Sequence, residues 1–152
     1  MTGVSSQGAD FDGKLVELAR AAVPRLTRIA AISSATNPAH TPLVKELATA
    51  ASALGITLDS FPIREPTDVQ LSFTVMARNG DQAVVVLPDH VTWFHRARIV
   101  DLAVRGRLPT ICVYRVWADA GCLMGYGPSL DDMLYRAGVL AGKVLKGANS
   151  PW

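Results

Sequence analysis

Apolar and polar positions along the chain switch repeatedly between helical spacing and strand spacing. Leu15, Leu18, Ala19 and Ala22 recur at i, i+3, i+4 and i+7 behind Asp12, a residue suited to capping, and Pro24 stops the pattern. Arg28–Ser34 reads as a short buried strand. The next helix is expected to open at Asn37 or Thr41, with Pro38 or Pro42 at its first position. Leu43, Leu47, Ala51 and Leu54 form its inner stripe, and Gly55 lies past its end. Ile56–Pro62 alternates as a strand. Thr67 and Gln70 make a T-x-x-Q capping box for a third helix, with Val69, Phe73, Met76 and Ala77 facing inward and Asn79-Gly80 closing it.

Gln82–Leu87 is almost continuously apolar and β-branched, as a strand covered on both faces should be. Asp89 caps a fourth helix expected to run to about Arg105, with Gly106 beyond. Pro109–Val113 is a further central strand, Val116–Ala120 a short turn or helix, and Cys122–Gly125 the fifth strand. Ser129 with Asp132 caps a last helix whose stripe is Leu130, Leu134, Ala137, Ala141 and Val144. Lys143 and Lys146 sit in its last turn, where cations suit the helix dipole, and Gly147 ends it. This alternation predicts an α/β three-layer sandwich over residues 1–152. Its sheet is five-stranded, mostly parallel and flavodoxin-like, in the order 2-1-3-4-5.

Composition excludes several classes. The 152 residues are 49% hydrophobic and 18% charged with mean hydropathy +0.23, against a disordered chain or a polar coiled coil. A net charge of +2 with no basic run gives no footprint for nucleic acid. Arg96, Arg98, Arg105 and Arg107 are the densest basic cluster and read as a solvated helix face. Apolar runs such as Ala83–Pro88 have strand length, so the chain is not expected to embed in a membrane. The first ten residues carry no signal-peptide pattern. Cys112 and Cys122 lack metal or redox spacing and read as two buried apolar cysteines.

In an open parallel sheet, ligands gather beyond the carboxyl ends of the strands. That edge carries Ser33, Ser34, Thr36 and Asn37 after the first strand, and Asp89 and His90 after the third. Tyr114, Arg115 and Trp117 follow the fourth, and Tyr126 follows the fifth. Together they suit a small polar or aromatic ligand, although capping alone accounts for Asn37 and Asp89. Gly121…Gly125-Tyr-Gly127 matches neither phosphate-binding glycine motif, and no G-x-S-x-G occurs. His90 and His95 are five apart and diverge on a helix, and His40 reads as a surface residue. No metal, cofactor or catalytic role is therefore expected, and a small flavodoxin-like enzyme is the weakest reading.

Several stretches, in order, carry a resemblance. They are Thr2–Ser5 (TGVS), Lys14–Leu18 with Val23-Pro24, Asn37–His40 (NPAH), Glu46–Gly55, Phe94–Ile99 and Arg107–Pro109. Ala120–Pro128 (AGCLMGYGP) and Lys143–Gly147 complete the series. With these the chain resembles the solute-binding proteins of ABC importers, in a branch that includes aromatic-amino-acid binders. The resemblance implies one lobe, the second, of a two-lobed clamp, with Asn37, Asp89, Tyr114 and Arg115 lining the cleft. Two departures stand out. Ser33–Thr36 replaces an aromatic and Asn-Pro at the first strand's exit, and His90 replaces a proline after Asp89.

The resemblance implies a small-molecule ligand, an ABC permease as a possible partner, and either a missing N-terminal lobe or a homodimer. It implies a periplasmic location if the chain is a fragment of an exported protein. A cytoplasmic location, and a free-standing sensor built from the same lobe, is the alternative if Met1 is the native start.

Overall fold

The computed structural model describes residues 11–147, apart from the side chains of Phe11, Asp12 and Leu130. The Thr2–Ser5 stretch and the chain end at Asn149–Trp152 lie outside the described residues. The elements run α1 (Phe11–Ala22), β1 (Arg28–Ser34), α2 (His40–Ala53), β2 (Thr57–Ile63), α3 (Pro66–Asn79) and β3 (Val84–Val86). They continue α4 (His90–Phe94), α5 (Arg96–Arg105), β4 (Thr110–Val113), α6 (Val116–Asp119), β5 (Met124–Tyr126) and α7 (Leu130–Leu145). The sheet order is β2-β1-β3-β4-β5 and every pairing is parallel, as the apolar pattern predicts.

Strand alternation divides the core into two layers. Ala30, Ile32, Phe61, Ile63, Val84, Val86 and Cys112 pack with Val69, Phe73 and Met76 of α3, Ile99 and Ala103 of α5, and Trp117 of α6. On the other face Ile29, Val85, Ile111 and Val113 meet Leu15, Val16 and Ala19 of α1 and Leu47 and Ala51 of α2. Val84, Val85 and Val86 are completely buried, which is why β3 carries no polar face.

Local starts differ from the sequence reading. Asp12 falls inside the first turn of α1 rather than ahead of it. The cap of α2 is Ala39, with no side-chain bond, and neither Asn37 nor Thr41 takes that role. Asn37 Oδ1 instead accepts from the Ala39 amide at 3.0 Å, a local turn that competes with capping. In α3 the box is Glu65 with Asp68, because Pro66 at the first position sets the start ahead of Thr67. Backbone N–H bonds from Arg64 and Glu65 hold the Asp68 carboxyl below its ordinary range. Ser72, not Ala77, completes the buried stripe of α3. The fourth helix breaks at His95 into α4 and α5.

Two larger corrections follow. Cys112 and Cys122 are not separate thiols but a disulfide across ten residues of sequence. β4 points Cys112 into the α3/α5 core, and the chain returns Cys122 to the same layer after α6. The stripe of α7 does not find a core among the described residues: Leu134, Tyr135, Val139, Val144 and Leu145 are exposed.

Candidate functional site

The carboxyl edge of the sheet opens into two concave regions joined by one hydrogen bond. The first, about 400 Å³, is lined by Pro88, Asp89, His90, Trp93, Tyr114, Val116 and Trp117. Trp117 is only 1% exposed, and Trp93 of α4 meets it edge-to-face with ring centroids 5.4 Å apart. Arg96 lies over the Trp93 ring at 4.3 Å and donates to the Trp93 carbonyl at 2.9 Å, fixing that wall.

Tyr114 is placed by its backbone. Its φ of 71° is left-handed, which costs a non-glycine residue of order 1–3 kcal/mol. The Tyr114 amide donates to the Tyr126 carbonyl at 3.1 Å. β5 must approach closely for this: a Cβ on Gly125 would lie 2.8 Å from the Tyr114 carbonyl oxygen. Gly125→Ala is therefore expected to push β5 from Tyr114 and destabilise by about 1–3 kcal/mol. Thermal melting checks it; a melting temperature within a degree of the wild type would show that the approach can relax.

Asp89 anchors the centre. Its Oδ1 accepts from the Val91 amide at 2.9 Å, capping α4, and its Oδ2 accepts from Asn37 Nδ2 at 2.8 Å. The Asp89 amide donates to Thr92 Oγ1 at 3.0 Å, closing a capping box. The carboxylate is only 6% exposed. That burial pushes its pKa up, but the bonds from Val91 and Asn37, the Ser34 hydroxyl and His90 outweigh it and hold the group below its ordinary value. His90 Nδ1 lies 3.2 Å from Asp89 Oδ1 on a largely exposed ring.

The second region, about 390 Å³, is polar and includes Ser33, Ser34, Asn37, His40, Thr41, Ser60 and Arg64. His40 is buried at 4% exposure rather than on the surface. Its Nδ1 accepts from the Ser34 amide at 2.9 Å, so the proton sits on Nε2, 3.2 Å from the Pro88 carbonyl. This neutral ring ties the exits of β1 and β3 together.

Of the residues expected from sequence, Asp89, His90, Tyr114 and Trp117 share the aromatic region, while Ser33, Ser34 and Asn37 share the polar one. Thr36 and Arg115 line neither. Thr36 bonds Ser34 Oγ through both its hydroxyl, at 3.0 Å, and its amide, at 3.4 Å, and Arg115 is the exposed cap of α6. Trp93, Val116, Ser60 and Arg64 were not among the expected site residues. One helical turn from Asp89 to Trp93, and the exit of β2 at Arg64, are the signals that point to them. Among the described residues no cluster of three His, Cys, Asp or Glu could hold a metal, and no helix is long and apolar enough to cross a membrane.

The family model described as ABC transporter substrate binding protein matches residues 1–151. No curated protein matches the sequence significantly. Among solved structures, the chain is similar to an "ABC domain in complex with L-Trp" from Streptococcus pneumonia. The TM-score is 0.79 at 22% identity, over 91% of this chain and 48% of that one. A conserved domain protein from Vibrio cholerae gives 0.82 at 18% identity, over 96% and 48%. The ligand-free, open structure of a substrate-binding protein with adhesive properties from Clostridium difficile gives 0.69 at 18%, over 97% and 49%. The chain thus spans about half the length of each of these proteins.

Proposed function

The chain belongs to the ABC transporter substrate-binding protein family, and we propose that it is one jaw of a solute clamp. In this reading it binds a small organic solute at the carboxyl edge of the sheet without transforming it. The observation that carries the reading is the convergence there of an aromatic wall and a buried, fully hydrogen-bonded carboxylate. A planar apolar group would lie against Trp93, Tyr114 and Trp117, and Asn37 with Asp89 would form the polar floor.

The other jaw supplies the remaining contacts. The chain's span of about half its structural relatives supports this, as do the exposed apolar residues of α7. A second copy of the chain is the alternative cover, and light scattering separates the two: a monomer at high concentration removes the homodimer. The Cys112–Cys122 disulfide favours an oxidising compartment, hence an exported protein and an ABC permease as partner, over a cytoplasmic sensor.

Calorimetry of the chain against amino acids, L-tryptophan among them, and other small metabolites tests the reading. A complete pocket covers roughly 70–90% of a ligand. Halving the ~8 kcal/mol of a micromolar site gives a Kd of about 1 mM. Trp93→Ala is expected to weaken that binding about fivefold or more while leaving the fold intact. Submicromolar binding by the monomer would overturn the half-clamp, and no binding across the panel would overturn the solute site.

A further inference from the structure

We infer that the polar region beside β1 and β2 is an oxyanion subsite, taking a carboxylate or phosphate group. The inference rests on the reading of this edge as a solute site and adds the charge class of one end of the solute. It begins with strand alternation. Ser33 and Ser60 fall on the strand positions that turn toward α2, whereas Trp117 belongs to the core on the opposite face. The pocket of about 390 Å³ therefore lies between the sheet and the start of α2, separated from the aromatic wall by the Asn37–Asp89 bond.

Three observations give the pocket its sign. Ser33 is 4% exposed, yet its hydroxyl has no hydrogen-bond partner among the described residues and lines the opening. A hydroxyl left open at a pocket wall is free to bond whatever enters the pocket, water or a ligand oxygen. Arg64, exposed at the exit of β2, makes no salt bridge within 4.0 Å among the described residues, although its charge also helps to lower the Asp68 pKa. The adjacent carboxylate, Asp68, is already occupied through Oδ2 by the Arg64 and Glu65 amides at 2.8 and 3.1 Å. The third is the 14-residue helix α2, whose positive end faces the pocket and whose Thr41 adds a hydroxyl.

One negative charge borders the pocket: the Asp89 carboxylate, which is taken up by the Val91 amide, Asn37 and Ser34. His40 offers no charge, because its Nδ1 accepts from Ser34 and its Nε2 is directed at Pro88. The amides of Ala39, His40 and Thr41 are spent on Asn37 and Pro38. Binding therefore falls to the Arg64 fork and the Ser33, Thr41 and Ser60 hydroxyls, a donor set suited to a planar or tetrahedral oxyanion.

Amide NMR of the full chain, titrated with inorganic phosphate and with acetate against chloride at equal ionic strength, tests the subsite. Saturable shifts centred on Ser33, Ser34, Ser60 and Arg64 are expected with at least one oxyanion. The stronger of the two identifies a phosphate or a carboxylate as the preferred group. Arg64→Gln should weaken that response about tenfold, and Ser33→Ala by a smaller factor; both changes leave the core untouched. Equal shifts with chloride, or an unchanged response in Arg64→Gln, would overturn the subsite. An intact oxyanion response with no solute bound in calorimetry would overturn only the solute reading, and solute binding without an oxyanion response only this inference.

Discussion

Asp81→Asn is expected to flatten the pH dependence of stability, gaining about 2–3 kcal/mol on the wild type between pH 5 and pH 8. Asp81 follows the left-handed Gly80 that ends α3 and is 6% exposed, and neither carboxylate oxygen has a hydrogen-bond partner among the described residues. Burial, then the charge and proximity of Asp59, push its pKa from 3.8 to about 7, against a smaller pull from Arg28. Arg28 is engaged elsewhere, with Nη2 2.6 Å from Asp59 Oδ2. Below pH 3.8 the carboxyl is protonated folded and unfolded, and its contribution is whole. As pH rises, the unfolded chain releases the proton first, so the folded state loses stability until Asp81 ionises near pH 7. Asparagine keeps the neutral shape and has no proton to lose. At roughly 2–4 °C per kcal/mol, the melting temperatures of the two proteins should diverge by about 5–10 °C over that interval. Parallel curves would show that Asp81 is ionised in the native protein at neutral pH.

What could be read in advance follows from the range of each interaction. The sheet order was legible because burial on both faces leaves a run such as Val84–Val86 no polar alternation, and right-handed crossovers do the rest. Helix starts were less legible because nearby signals compete. Thr67 with Gln70 looks like a box, but Pro66 lets Glu65 and Asp68 close one two residues earlier. Asn37 looks like a cap, but a local turn uses its oxygen and frees its amide for Asp89, 52 residues away. His40 could not be recognised as buried, since one of its two partners is Pro88, 48 positions on. The exposed stripe of α7 is the converse case. Its periodicity calls for a cover, and the described residues of the chain do not supply one.

Breaking the Cys112–Cys122 bond is expected to lower the melting temperature by about 5–10 °C and to loosen the aromatic wall in the same step. The bond closes a short loop, with ten residues of separation, and loop-closure entropy alone makes it worth ~2–3 kcal/mol. The loop contains Tyr114, Val116 and Trp117, three of the side chains around the cleft. Inside it the Trp117 carbonyl accepts from the Cys122 amide at 3.0 Å, and just outside its ends Thr110 Oγ1 accepts from the Leu123 amide at 2.9 Å. The left-handed backbone of Tyr114 makes this segment costly to hold, so the cross-link stabilises the conformation that needs it most. Reduction by an external dithiol and the Cys112→Ala/Cys122→Ala double variant should agree. Both should lower the melting temperature and shift tryptophan emission toward that of solvated indole, because Trp117 is otherwise 1% exposed. A lower melting temperature with unchanged emission would mean that the bond supports the core and not the wall. An unchanged melting temperature in both experiments would mean that β4 and β5 hold the loop without it.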